Sequence, residues 1–256
     1  MKLNINSPLY VIVYAAVVSA VFTAGIMTLG AATSAEVQRK EEMLRRKALV
    51  EILLTGEGKP LSTAQFREAS DREVVALFDR CIIIRRLPVP GSSGQMEVAV
   101  GYALDTRVYP PGPANPPIGY ALPISGVGFW ANISGYLAVT PDLSRTLGVA
   151  FLQHAETPGL GGRITEDDFR RQFVGLTVTA PAAGGKFIYV TRQEPAGPAD
   201  PRYGRSVDAI TGATGTSLAV EKFLNADIER FRRVAAAAGL IAASATQPEE
   251  ARTGRQ

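Results

Sequence analysis

Ser206, Val207, Asp208, Ala209, Ile210, Thr211, Gly212, Ala213, Thr214, Gly215, Thr216 and Ser217 form the stretch on which the reading of this chain turns. Twelve positions hold one carboxylate, two glycines and five hydroxyl side chains, directly before a helical pattern that runs from Leu218 to about Ala236. A helix N-terminus presents unpaired N–H groups and the positive end of the helix dipole, so an entry of small, hydroxyl-bearing residues suits a phosphate. The plainer reading is a Ser/Thr N-cap for the last helix. The run alone leaves both open, and the rest of the chain has to decide.

Upstream of it the pattern is that of a meander. Gly119 to Ile124, Ser134 to Thr140 and Leu147 to Ala155 are apolar-rich runs, the last two joined by a turn-forming segment from Pro141 to Arg145. Thr165 with Asp168 predicts a short capped helix to about Phe173, and Gly175 to Ala180 with Lys186 to Thr191 predicts a further strand pair around an Ala/Gly turn. Before the meander, Ser62 with Gln65 and Ser70 with Glu73 carry capping-box spacing and predict two short helices ending near Asp79, followed by a strand at Ile82 to Ile84. Five prolines between Tyr109 and Gly119 rule out helix or central strand there and predict an irregular surface loop. A second Pro/Gly loop spans Pro195 to Gly204. Strands in runs with helices at the ends point to an α+β domain with an antiparallel sheet.

The N-terminus is of another kind. No charge occurs from Leu3 to Ala35, and its apolar centre, Leu9 to Ala32, would extend about 36 Å as a helix, enough to cross a ~30 Å hydrocarbon core with some tilt. The stretch is too long for the apolar part of a cleaved signal peptide, so one spanning helix is expected. Glu36 to Leu54 reads as its continuation, with Leu44, Ala48, Leu49, Ile52 and Leu53 on one side. Only Lys2 precedes the span, whereas Arg39, Lys40, Arg45, Arg46 and Lys47 follow it, so the count of basic residues alone places the large domain in the cytoplasm. The domains expected are 1–35 as the transmembrane helix, 36–90 as a helical membrane-proximal segment, 91–238 as the folded domain and 239–256 as a disordered tail.

Composition removes several classes of function. The net charge is +3, and no basic cluster alternates with aromatics, so no nucleic-acid partner is expected. One cysteine, Cys81 in an apolar run, and one histidine, His154, exclude an internal disulfide and any multi-cysteine or His-rich metal site. Redox chemistry would have to come from an organic cofactor.

Two further segments bear on that cofactor. Glu156, Thr157, Pro158, Gly159, Leu160, Gly161 and Gly162 put three glycines in seven residues, which lets backbone approach a flat ring, with Leu160 able to cover a face; by itself this is also an ordinary Gly-rich turn. Gly128, Phe129, Trp130, Ala131 and Asn132 precede the strand with Gly135, Tyr136, Leu137, Ala138 and Val139; core packing is the default for the chain's single tryptophan, stacking near a cofactor the sharper option.

Taken together these motifs resemble the C-subunit family of the sodium-translocating NADH:quinone reductases. In FMN-binding domains of this kind an Asp, then Ser or Thr, Gly, Ala and Thr form the flavinylation motif, matched here by Asp208, Thr211, Gly212, Ala213 and Thr214. The family also has one N-terminal transmembrane helix, a Gly–aromatic–Trp segment before a strand, and the loop matched by Glu156 to Gly162; the resemblance runs from Pro8 to Phe231. It implies an FMN-binding domain on an antiparallel sheet with flanking helices, with FMN held by a phosphoester to Thr214. Asp208, Thr211, Gly212 and Ala213 would shape the attachment site, and Glu156, Thr157, Leu160, Gly161 and Trp130 the ring pocket. No catalytic residue or metal is implied. The implied role is that of an electron carrier rather than the NADH-oxidising component, relaying electrons from the membrane-embedded D and E subunits to the flavin of the B subunit, within a complex that also holds A and F, and needing a separate flavin transferase. The implied location is the bacterial inner membrane, single-pass, with the soluble domain in the periplasm, against the charge count. The alternatives are the G subunit of the Rnf complex, which shares the anchor, the flavin motif and part of the Gly-rich loop, and a non-flavinylated, membrane-anchored assembly protein. The Trp segment, His154 and Gly162 favour the reductase. The chain departs from the family pattern at Ala209 and Thr211, in the proline-rich loop and tail, and at Arg192, where a lysine is common.

Overall fold

The computed structural model describes residues 8–56, 59–182 and 184–240. Contacts divide the chain after Leu44. The first unit is the larger part of one unbroken helix, α1 (Pro8–Leu54), whose most apolar eighteen-residue window has a mean hydropathy of 2.2 and no buried residue. It is long and apolar enough to cross a membrane.

The second unit is built on a five-stranded antiparallel meander, β1 (Ile82–Pro88), β2 (Gln95–Tyr102), β3 (Pro117–Val127), β4 (Asn132–Val139) and β5 (Thr146–Gln153), in sequential order. One face is lined by small residues: Ala99 pairs with Ala121 and Ala121 with Ala138 across three strands, beside Gly101 and Gly119. This groove admits the last turns of α1, where Leu49 and Leu53 are fully buried, together with Val74 and Phe78 of α3 (Asp71–Cys81). A Cβ on Gly101 would lie 3.2 Å from that of Leu53. Each such leucine removed from water contributes about 1.5–3 kcal/mol.

The other face is bulkier, with Val98, Val100, Leu122, Ile124, Leu137 and Phe151 packed beneath the final helix. That helix is α5 (Thr214–Ala237), reached after the short α4 (Asp167–Arg170) and a two-stranded parallel pair, β6 (Tyr189–Thr191) with β7 (Ser206–Asp208). Polar side chains of α5 satisfy backbone groups on both sides of it: Asn225 Oδ1 accepts the N–H groups of Phe187 and Ile188, Glu221 accepts that of Val190, and the buried Asp227 accepts that of Ser125. These bonds hold α5 against β3 on one side and the segment of β6 on the other.

Both capping boxes form, Ser62 with Gln65 at α2 (Thr63–Glu68) and Ser70 with Glu73 at α3. Several expectations need correction. The helix of the hydroxyl motif starts at Thr214, four residues earlier than its apolar pattern, and its N-cap is Ala213, which has no capping side chain, so the motif is not a Ser/Thr cap. Thr165 does not cap α4; its hydroxyl donates to the Gly162 carbonyl, and Glu166 is the N-cap residue. Gly175 to Ala180 does not pair with Lys186 to Thr191. It makes one bridge, Thr177 to Arg145, and β6 pairs instead with β7. The proline tract ends inside a central strand, because Pro117 opens β3 and pairs with Tyr102 at a register shift. Leu44 is exposed rather than on the buried side of α1. The tail from residue 241 lies outside the described residues.

Candidate functional site

The hydroxyl motif closes on itself through Ser217. The Ser217 hydroxyl accepts the Ile210 N–H at 3.1 Å and donates to the Ala213 carbonyl at 2.9 Å, while Ala213 N–H donates to the Ile210 carbonyl across a tight turn. Gly212 is the third residue of that turn and has φ +81°, a conformation that favours glycine. The Ser217 N–H is already used, donating to the Ala213 carbonyl at 3.0 Å. The leading N–H groups of α5 that can face an anion are therefore those of Thr214, Gly215 and Thr216. The hydroxyls sort cleanly: Thr216 and Ser217 are buried and bonded within the protein, whereas Thr211 and Thr214 are exposed.

Glu156 ties this helix start to the rest of the site. It follows β5, is only 4% exposed, and its Oε2 accepts the Thr216 hydroxyl at 2.6 Å. Its Oε1 accepts the N–H groups of Phe129 and Trp130 at 2.9 and 3.0 Å. Burial works to raise the carboxyl's pKa, but the bonds from Thr216, Trp130 and Phe129 outweigh it and hold it below its ordinary value. Two glycines make room for this carboxylate. A Cβ on Gly128 would sit 2.5 Å from Oε1, and one on Gly161 2.7 Å from Oε2 and 2.5 Å from the Thr216 hydroxyl.

Phe129 and Trp130 stand up from the surface, 63% and 68% exposed, with their rings edge to face at 5.1 Å. Core packing of the tryptophan is thus excluded. The Trp130 indole N–H donates to the Thr157 hydroxyl at 3.1 Å, and Phe129 packs on Gly215, where a Cβ would approach its ring to 2.5 Å. Leu160, 44% exposed, faces Gly212 from the opposite loop. Between them lies an open cleft of about 180 Å³.

Of the residues that the motifs single out, Trp130, Glu156, Thr157, Leu160, Gly161, Gly212, Ala213 and Thr214 line this cleft. Asp208 and Thr211 do not. Asp208 ends β7, where its N–H donates to the Gln172 side chain, and its carboxylate is exposed. Gly215 and Thr216, whose N–H groups the motif reading sets near a phosphate together with that of Ser217, line the cleft as well, as does Phe129, to which the motifs give no site role; the Ser217 N–H is instead spent on the Ala213 carbonyl. Phe129 has a local signal, standing beside Trp130 after a glycine; the Thr216–Glu156 bond joins residues 60 apart and has none. Among the described residues no group of three or more His, Cys, Asp or Glu side chains could hold a metal ion.

Residues 128–229, which contain every element of this cleft, match the FMN-binding domain family. The chain is 36% identical over 107 residues to the C subunit of the Na(+)-translocating NADH-quinone reductase of Pseudomonas aeruginosa, covering 41% of this chain and 39% of that one. It is 34% identical over 123 residues to the counterpart from Chlamydia caviae, covering 44% and 39%. The aligned region thus spans about two-fifths of the length of these relatives. The crystal structure of Shewanella oneidensis NqrC shares the fold at a TM-score of 0.56 and 18% identity, over 78% of this chain and 99% of that one. The crystal structure of the C subunit from Parabacteroides distasonis does so at 0.54 and 20%, over 77% and 94%. The resemblance read from the motifs stands, and so does the antiparallel α+β fold.

Proposed function

We propose that this chain, an FMN-binding domain behind a helix able to span a membrane and similar to reductase C subunits, is the covalent-FMN electron carrier of a sodium-translocating NADH:quinone reductase. One observation carries the reading. Thr214 is the exposed hydroxyl at the first residue of α5, lining the cleft, while the neighbouring hydroxyls of Thr216 and Ser217 are occupied by the protein.

The residues present fit the group. The helix N-terminus, with the N–H groups of Thr214, Gly215 and Thr216, would hold the phosphate. Trp130, Thr157 and Leu160 would flank the ring, in a cleft whose wall depends on Gly161 giving room to Glu156 and Gly215 giving room to Phe129. The cleft is smaller than the ~300 Å³ at which pockets begin to enclose a ligand of that size, so part of the ring would stay open to a redox partner. When bound, the flavin supplies reversible uptake and release of electrons. The protein's part is to hold it, bias its potential through hydrogen bonds and burial, and leave one edge accessible.

A threonine hydroxyl is a weak nucleophile, so attachment needs a flavin transferase acting on FAD: the Thr214 oxygen forms the new ester to the FMN phosphate, the pyrophosphate bond breaks and AMP leaves. Thr211, exposed on the tight turn, and Gly212 give that enzyme an accessible segment to grip, and Asp208 lies at its entry. Once esterified, the flavin cannot diffuse away. The membrane helix then keeps it at high effective concentration beside the B, D and E subunits.

We place the folded domain in the periplasm. Three of the five basic residues that argue otherwise have a use in the fold: Arg45 pairs with Glu97, Arg46 with Asp79 and Lys47 with Asp71. Long C-terminal domains can translocate despite flanking charge. A reporter fused after Gln256 tests this, and cytoplasmic activity would overturn it. The function itself is tested by coexpression with a flavin transferase, followed by denaturing electrophoresis. The wild-type band is expected to keep flavin fluorescence and Thr214→Ala to lose it; a dark wild-type band would refute the assignment and favour an assembly role.

A further inference from the structure

Glu156 carries more of this site's geometry than any other side chain, and it does so from beneath the surface. Its two oxygens accept three bonds, from Phe129 N–H, Trp130 N–H and the Thr216 hydroxyl, and it is almost fully buried. Those donors belong to two separate segments, the turn that displays the aromatic pair and the first turn of α5, and one carboxylate joins them. Gly128 and Gly161 are the positions at which any side chain would collide with the carboxylate. A group so committed has little left to offer a ligand.

We propose that Glu156 is a positioning residue: its carboxylate locks the Phe129–Trp130 turn against the start of α5 before any cofactor is attached, so that the ring-binding wall is preformed. This deepens the flavin reading and rests on it only for the purpose of the wall. The lock itself is a property of the unloaded chain. Two legs on one oxygen fix the turn and one leg on the other fixes the helix, so removing either end leaves the aromatic pair to the weaker Trp130–Thr157 bond and the packing of Phe129 on Gly215, while the sheet and the α5 anchors at Asn225 and Asp227 remain.

Trp130 is the chain's single tryptophan and reports directly on the lock. The test is the time-resolved fluorescence anisotropy of Trp130 in the full chain, purified in detergent from cells without a flavin transferase. The wild-type indole is expected to tumble with the domain. Glu156→Ala should add a fast local component, and Glu156→Gln should remove it again, since a glutamine can accept the two N–H bonds and donate to Thr216. Thr216→Val cuts only the helix leg and should give an intermediate fast component; it also serves if the alanine variant does not fold. Wild-type decay in folded Glu156→Ala, or in Thr216→Val where alanine fails to fold, would overturn the proposal, as would a folded Glu156→Gln that behaves like alanine. A separate arm uses wild-type chain matured with transferase. Attached flavin should quench Trp130 emission; absence of quenching there would count against the flavin site and leave the lock standing.

Discussion

The Thr216 hydroxyl donates to the buried carboxylate of Glu156 at 2.6 Å, joining the first turn of the last helix to the loop that follows β5, 60 residues earlier. Thr214, two residues before Thr216, is left exposed at the cleft. The same contact therefore organises the site and leaves one helix-start hydroxyl free at its mouth.

This contact makes the site sensitive to acid. The Glu156 carboxyl is held below its ordinary pKa in the folded protein, so its stabilisation is complete above the ordinary glutamate value of the unfolded chain and is lost as pH falls through the lower folded value. Denaturant unfolding across that range should show wild type losing stability on acidification. Glu156→Gln should give a flatter profile there, and coincident profiles would contradict the pairing.

Gly161→Ala should be costly although it adds one methyl group. The new Cβ would fall 2.5 Å from the Thr216 hydroxyl and 2.7 Å from Glu156 Oε2, so the lock or the loop must shift, at about 1–3 kcal/mol. A lowered denaturation midpoint with reduced flavin incorporation is expected. Gly159→Ala serves as a contrast: its left-handed backbone is strained by a side chain, but the new Cβ meets no atom within 4 Å. Equal incorporation in Gly161→Ala and wild type would show that the cleft does not depend on that clearance.

Leu53→Ala removes a fully buried side chain from the groove of small residues on the opposite face of the sheet. The expected loss is about 2–5 kcal/mol, read by thermal or denaturant unfolding. At temperatures where the variant stays folded, flavin incorporation should match wild type, because Leu53 lies outside the cleft lining.

What is legible in the sequence is whatever local chemistry specifies. Ser62 with Gln65 and Ser70 with Glu73 fix helix starts through side-chain bonds three residues apart, and three apolar runs of the meander fall within a few residues of the observed strand bounds. β2 escapes such a reading because its two faces alternate Met96, Val98 and Val100 with Ala99 and Gly101: both faces are covered, so small residues stand where a half-exposed strand would show polar ones. The parallel pairing of β6 with β7 joins segments separated by a Pro/Gly loop, and no short-range turn signal announces it. The start of α5 is masked by Gly215 and the hydroxyl residues, poor helix formers whose helical state is set by Ser217 and the anchors further along. In the cleft, the motifs name most of the lining but not its wiring, since Glu156 reaches both partners across long sequence separations.

The central claim is a flavin esterified to Thr214, and mass spectrometry of the proteolytic peptide that contains Thr211, Thr214, Thr216 and Ser217 tests it most directly. In protein matured with a flavin transferase, the account predicts that peptide with one FMN added less one water, with fragment ions placing the addition on Thr214. An unmodified peptide, or an adduct on any of the other three hydroxyls, would contradict it.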